Sequence, residues 1–255
     1  MKVVAVIPAR YGSTRFEGKP LAGILGKPMV QHVVEGVGQS RLIKDVIVAT
    51  DDRRILETVA SFGGRALMTS TDHRTGSDRV AEVARKLRAE IIVNVQGDEP
   101  LIRGVLIDRA IRPLLRDPSL QMATLMTRFQ RTEEWLSPHI VKVVVDQKHF
   151  ALYFSRAPIP FPRDVRRTRI EALASPPQGV YKHIGVYVYR RSFLLRLSKM
   201  RPTPLEELEK LEQLRALEYG YRIKLTLVDY EPLAVDTPED LKKVIDVLSK
   251  RFSRY

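Results

Sequence analysis

The apolar positions of this chain fall into two textures. Val3-Val4-Ala5-Val6-Ile7 is an unbroken apolar run that stops at Pro8, and Val46 to Ala49 and, apart from Asn94, Ile91 to Val95 repeat the pattern. Runs without alternation suit strands covered on both faces, as in a parallel sheet. Between them lie segments with helical spacing: Met29 to Val37, Arg54 to Phe62 ahead of Gly63-Gly64, and Ser77 to Leu87, where Val80, Val83, Ala84 and Leu87 share a stripe. Strand, loop and helix in repetition predict βαβ units in an open twisted sheet, with ligands gathering at the carboxyl ends of its strands.

Beyond about residue 120 the texture changes. Met122 to Phe129, Val141 to Val145 and His183 to Tyr189 read as strands without helices of matching length between them, so this stretch reads as a mostly antiparallel insertion. Pro158, Pro160 and Pro162 mark a loop that continues through Arg163, Arg166, Arg167 and Arg169 to Pro176-Pro177, and a solvated surface loop is the plain reading of that arginine cluster. Helical spacing returns from Leu205 to Leu217, with Leu208, Leu211 and Leu214 on one face. A strand follows at Ile223 to Val228, then a closing helix at Pro238 to Leu248 capped near Asp236-Thr237. The expectation is one α/β domain over 1–255, with about 120–200 as an inserted subdomain.

Composition narrows the chemistry. A chain of 255 residues that is 44% hydrophobic buries a full core, and zero Cys removes disulfides, thiolate metal sites and thiol nucleophiles. Chemistry is left to oxygen, nitrogen and hard metal ions. A formal charge of +13 admits nucleic acid, an acidic membrane surface or a polyanionic small substrate. No apolar run approaches the roughly 20 residues of a membrane span, and the N-terminus lacks the form of a signal peptide, so a cytoplasmic protein is expected. The nucleic-acid reading has no helix-turn-helix, zinc-finger or aromatic RNA-binding signature behind it.

Two junctions carry candidate chemistry. The first, Pro8-Ala9-Arg10-Tyr11-Gly12-Ser13-Thr14-Arg15-Phe16-Glu17-Gly18-Lys19-Pro20, sets three cations in a glycine-containing loop directly after a buried strand. Guanidinium forks match phosphate oxygens and a lysine supplies a mobile point charge, so a triphosphate is the natural complement. The loop has neither the dinucleotide fingerprint nor the P-loop spacing. The second, Gln96-Gly97-Asp98-Glu99-Pro100, opens at the same sheet edge. Asp98 reads either as a helix cap or as a hard oxygen ligand for magnesium, and Asp236, after Leu233-Ala234-Val235, would make a two-carboxylate site if the two met.

These stretches, with Gly26-Lys27-Pro28-Met29, Tyr181-Lys182-His183-Ile184-Gly185-Val186-Tyr187, Leu211-Glu212-Gln213-Leu214-Arg215 and Val235-Asp236-Thr237-Pro238-Glu239-Asp240, closely resemble the 3-deoxy-manno-octulosonate cytidylyltransferases (CMP-KDO synthetases) over essentially the whole chain. One departure is Phe16-Glu17, where the family more commonly has Leu-Pro. The resemblance implies a Rossmann-like nucleotidyltransferase fold with a smaller antiparallel dimerisation region, and a homodimer touching through about 120–200 and the helix near Leu205 to Leu217. It implies transfer from CTP to 3-deoxy-manno-octulosonate (KDO) with Mg2+, for lipopolysaccharide synthesis. By position, Arg10, Arg15 and Lys19 would hold the triphosphate, Pro8 and Ala9 would line the nucleoside site, and Arg79 would meet the cytosine. Gln96 would stand between nucleotide and sugar, Asp98 and Asp236 would bind the metal, and Arg156, His183, Tyr187, Glu212 and Gln213 would line the sugar pocket, with Arg156 facing the sugar carboxylate. A related acidic sugar, 8-amino-KDO or sialic acid, is the runner-up substrate.

Overall fold

The computed structural model of the chain describes residues 1–12, 16–73, 75–163, 173 and 175–252, with the side chains of 251 and 252 excepted. Arg15 and the arginines at 166, 167 and 169 lie outside the described residues.

The first apolar run forms β1 (Val3–Ala9), which continues through Pro8. Val3, Ala5, Ile7 and Ala9 point into one core while Val4 and Val6 point into the other, which is why the run contains no polar position. β4 (Asp45–Thr50) and β6 (Ile91–Val95) flank β1 in parallel, and β5 (Arg65–Met68) lies outside β4. β2 (Gly23–Ile24) and β3 (Lys27–Pro28) form a separate small hairpin. On the other side of β6 come β10 (Val180–Arg190), β7 (Met122–Thr127) and β11 (Ile223–Leu227), giving the order β11-β7-β10-β6-β1-β4-β5. Of these seven only β10 runs antiparallel to its neighbours. The sheet is therefore mixed and mainly parallel, as expected.

β7 and β10 belong to this central sheet, and the antiparallel character of the 120–200 stretch comes from β10 and from the hairpin β8 (Lys142–Val145) and β9 (Ala151–Ser155) that extends it. One face of the sheet is covered by α1 (Met29–Gly38), α2 (Arg53–Ser61) and α4 (Gly104–Arg116). The other face is covered by α3 (Gly76–Arg85), α6 (Arg191–Leu197) and α8 (Gln213–Glu218). α5 is a short helix at Thr132–Leu136, and α9 (Pro238–Phe252) packs Val244 against Ile24, Met29 and Leu101.

The single helix expected over Leu205 to Leu217 is instead two, α7 (Pro204–Glu209) and α8, broken where Lys210 adopts φ 54. The break turns Leu211 and Leu214 into the core but leaves Leu208 80% exposed. A buried bidentate pair fixes the bend, with Arg215 Nε and Nη2 donating to Glu206 at 2.7 and 2.5 Å. α4 has no counterpart in the sequence reading. Its interior Pro113 obscures the apolar stripe of Leu106, Ile107, Ala110, Ile111 and Leu114 that packs on the sheet. Among the described residues no helix is long and apolar enough to cross a membrane.

Candidate active site: two cavities sharing one wall

β1 lies where the chain reverses direction across the sheet, with β4 and β5 built to one side and β6 to the other. Such a switch point opens a crevice at the carboxyl ends of the strands. The loop after β1 is closed by Gly18, whose N–H donates to Tyr11 O at 2.9 Å and whose φ of +67 permits the turn. A 3-10 turn over Lys19–Leu21 follows and delivers Lys19 to the crevice. After β6, Gly97 lets the two junctions touch: a Cβ there would meet Pro8 O at 2.9 Å.

The carboxylates of Asp98 and Asp236 both reach Lys19. Lys19 Nζ donates to Asp98 Oδ2 at 2.8 Å and to Asp236 Oδ1 at 3.2 Å, and Val235 N–H donates to Asp98 O at 2.8 Å, stitching the two segments together. Pro8, Ala9, Arg10, Lys19, Arg79, Gln96, Asp98 and Asp236 line one cavity of about 320 Å³. Arg79 is held beneath it, donating from Nη2 to Asp51 Oδ2 at 2.5 Å and from Nη1 to Thr69 Oγ1 and Ser70 O. A buried guanidinium is stable only with such partners.

A second cavity of about 560 Å³ adjoins the first, and Gly76, Gln96 and Glu212 line both. His183, Tyr187 and Gln213 line the larger one, with Tyr189 and Gly185 beside them. β10 shifts register against β7 between Ile184 and Tyr187, and Thr124 fills the irregularity. Its hydroxyl donates to Val186 O at 2.8 Å, so His183 Nε2–H donates to Thr124 Oγ1 at 2.9 Å. Phe154 meets the His183 ring edge-on at 5.0 Å. Burial pushes the His183 imidazole down to about 3, so it is neutral near pH 7. Tyr187 Oη donates to Gln213 Oε1 at 3.0 Å, and burial holds its phenol well above the usual range.

Glu212 is partly buried and lines both cavities, where a helix-surface glutamate would stand fully in solvent. Burial raises its carboxyl, while side-chain hydrogen bonds from Ser77 and Thr75 lower it. Arg156 lines neither cavity. Its Nε donates to Glu209 O at 2.9 Å and its Nη1 to Pro138 O at 3.1 Å, so the guanidinium braces the outer rim beside His139 and Lys210. Those backbone partners lie far away in sequence and cannot be read from it. Glu99 is also a wall residue the sequence reading missed. Burial and the adjacent Asp98 push it up to about 8, and its Oε2 is buried with no hydrogen-bond partner among the described residues. Its place in the motif beside Asp98 was the available signal.

A family model described as cytidylyltransferase matches residues 4–224. The chain is 59% identical over 251 residues to a 3-deoxy-manno-octulosonate cytidylyltransferase of Geotalea uraniireducens (strain Rf4), covering 98% of this chain and 100% of that one. Identity to the protein of that name from Geobacter sulfurreducens is 56% over 249 residues, covering 97% and 100%. A solved structure of CMP:2-keto-3-deoxy-manno-octonic acid synthetase complexed with CTP superposes with a TM-score of 0.89 at 43% identity, over 98% of this chain and 100% of that one. A 4-diphosphocytidyl-2C-methyl-D-erythritol synthase from Anaerococcus prevotii shares the fold alone, with a TM-score of 0.62 at 12% identity. With twin cavities at the carboxyl edge of a nucleotidyltransferase sheet, and with relatives of this identity along its length, the chain belongs to the 3-deoxy-manno-octulosonate cytidylyltransferase family.

Proposed function

We propose that the chain transfers the cytidylyl group of CTP to KDO and releases pyrophosphate, supplying an activated sugar for lipopolysaccharide synthesis in the cytoplasm. The observation that carries this reading is the shared wall of Gly76, Gln96 and Glu212 between a cavity lined by cations and carboxylates and one lined by hydrogen-bonding aromatic and amide groups. A nucleotide in the first and an acidic sugar in the second would meet at Gln96.

The anomeric oxygen of KDO attacks the α-phosphorus, the bond from that phosphorus to the α,β-bridging oxygen breaks, pyrophosphate leaves and the hydroxyl proton is released. Such transfer needs placement and charge neutralisation and no covalent enzyme intermediate. Arg10 and Lys19 neutralise the triphosphate, with Arg15 expected to join them. Arg79, rigid on Asp51, presents a fixed edge of the nucleotide cavity suited to the base. In the larger cavity His183, Tyr187, Glu212 and Gln213 are a fixed set of donors and acceptors for sugar hydroxyls.

Asp98 and Asp236 suit Mg2+. They already flank one cation, the Lys19 ammonium, and among the described residues no group of three His, Asp or Glu gathers, so substrate phosphates would complete the coordination. When bound, the ion supplies charge neutralisation at the α-phosphate and a lowered pKa for the attacking hydroxyl.

A homodimer fits the surface around α7. Leu205 and Leu208 lie exposed on α7, and Glu209 ties α7 to β9 by accepting from Ser155 Oγ at 2.6 Å and Arg156 N at 2.8 Å. Exposed apolar side chains on one short helix suit an association surface.

Pyrophosphate release across the four nucleoside triphosphates and a panel of KDO, 8-amino-KDO and sialic acid tests the assignment. CTP with KDO should dominate. Equal use of UTP, or a preference for sialic acid, would overturn it.

A further inference from the structure

The charge surplus is only partly spent at the two cavities. On the exposed face of α4, Val105, Arg109, Arg112 and Arg116 form one stripe at spacings of four, three and four residues. At 1.5 Å per residue it is roughly 16 Å long. Arg103 precedes the helix and Arg41 joins from the end of α1, because Gly104 packs on the Gln39–Ser40 backbone so closely that a Cβ would come within 2.2 Å of Ser40 N. Arg41, Arg103, Val105, Arg109 and Arg112 border an open cleft of about 660 Å³, and Arg116 continues the stripe beyond it.

None of the five guanidinium groups has a carboxylate partner among the described residues. The one acid bordering the cleft among the described residues, Asp108, is turned inward. It accepts from Ser40 Oγ at 2.5 Å and from the N–H groups of Arg41 and Leu42 at 3.3 and 3.2 Å, and only 6% of it is exposed. Five uncompensated cations held this close repel one another, and a surface anion relieves that repulsion.

The patch is distinct from the active site. Lys44, three residues beyond Arg41, donates its N–H to Val3 O at the amino end of β1, whereas the cavities open beyond its carboxyl end. Seven residues of strand separate the two by roughly 20 Å.

We propose that this face binds the anionic headgroups of a lipid bilayer peripherally, leaving the nucleotide and sugar cavities open to solution. The cations are spread over a length greater than one phosphate group, which suits a field of separate anions. The exposed Val105, 55% accessible, sits among them as an apolar contact for the interface. Among the described residues the cleft is lined by no aromatic side chain on which a nucleic-acid base could stack.

Co-sedimentation of the full chain with phosphatidylcholine vesicles, with or without about 40% phosphatidylglycerol, tests this at about 0.1 M salt, where screening is moderate. Binding should require the anionic lipid. The variant carrying Arg109→Glu and Arg112→Glu should lose at least about tenfold in partitioning, since each cation near such a surface strengthens binding roughly fivefold. Its turnover of soluble substrates should be unchanged, which also reports that it folds. Absence of binding, equal binding to neutral vesicles, or an undiminished variant would overturn the inference. So would tighter binding to duplex DNA through the same arginines.

Discussion

Replacing Asp51 with alanine removes the carboxylate under Arg79 and leaves a guanidinium of which the side chain is only 4% exposed. Thr69 Oγ1 and Ser70 O would still accept from Nη1, but Nη2 would lose its charged partner. Breaking a buried pair from one side costs about 3–5 kcal/mol. Asp51 is itself 18% exposed, so water can partly take its place and the lower end, about 3 kcal/mol, is expected. In a chain of this size each kcal/mol moves Tm by about 2–4 °C, giving a fall of about 6–12 °C. Urea unfolding of wild type, Asp51→Ala, Arg79→Met and the double variant measures it directly. The double variant should be less destabilised than the two singles added, with a coupling of about 2 kcal/mol. Because Arg79 lines the nucleotide cavity, kcat/KM for CTP should also fall about tenfold if 1.4 kcal/mol of positioning is lost. A stability change under about 1 kcal/mol with additive singles would refute the reasoning.

Asp98→Asn should lower turnover at least about 100-fold, the usual scale for losing one electrostatic contributor. The fold should hold, because the tie from Val235 N–H goes to the Asp98 backbone; near-normal magnesium-dependent turnover would remove Asp98 from the metal site. The His183 ring should show no NMR titration between about pH 5 and 8, since burial depresses its pKa to about 3; a midpoint near 6.5 would mean a solvated ring. Folding stability from this group is therefore full above the unfolded value near 6.5 and declines as pH falls toward the folded one. Leu208→Glu, at an 80% exposed position, should shift the chain toward monomer in analytical ultracentrifugation without altering its helix content.

Much of the α/β framework was legible because its signal is local. The largely apolar runs became β1, β4 and β6, since two cores claim alternate residues of each strand. The carboxyl-edge loops after β1 and β6 were readable for the same reason. What escaped depended on contacts distant in sequence. The split between α7 and α8 rests on Lys210 and on the Arg215–Glu206 pair, and leucines spaced three apart cannot reveal it. The sequence left Asp98 and Asp236 as two separate carboxylates, and only folding brings both to Lys19. The resemblance sets Arg156 among the sugar ligands, and nothing local in the sequence shows that its Nε and Nη1 donate to the carbonyls of Glu209 and Pro138. Glu99 was overshadowed by Asp98, although it is the more deeply buried carboxyl.

The claim that one reaction spans both cavities is tested most directly by 31P NMR of the protein with CTP, KDO and Mg2+. Pyrophosphate and a new phosphodiester should grow in equal amounts, only when both substrates are present. Pyrophosphate without the phosphodiester, or turnover of CTP in the absence of sugar, would contradict it.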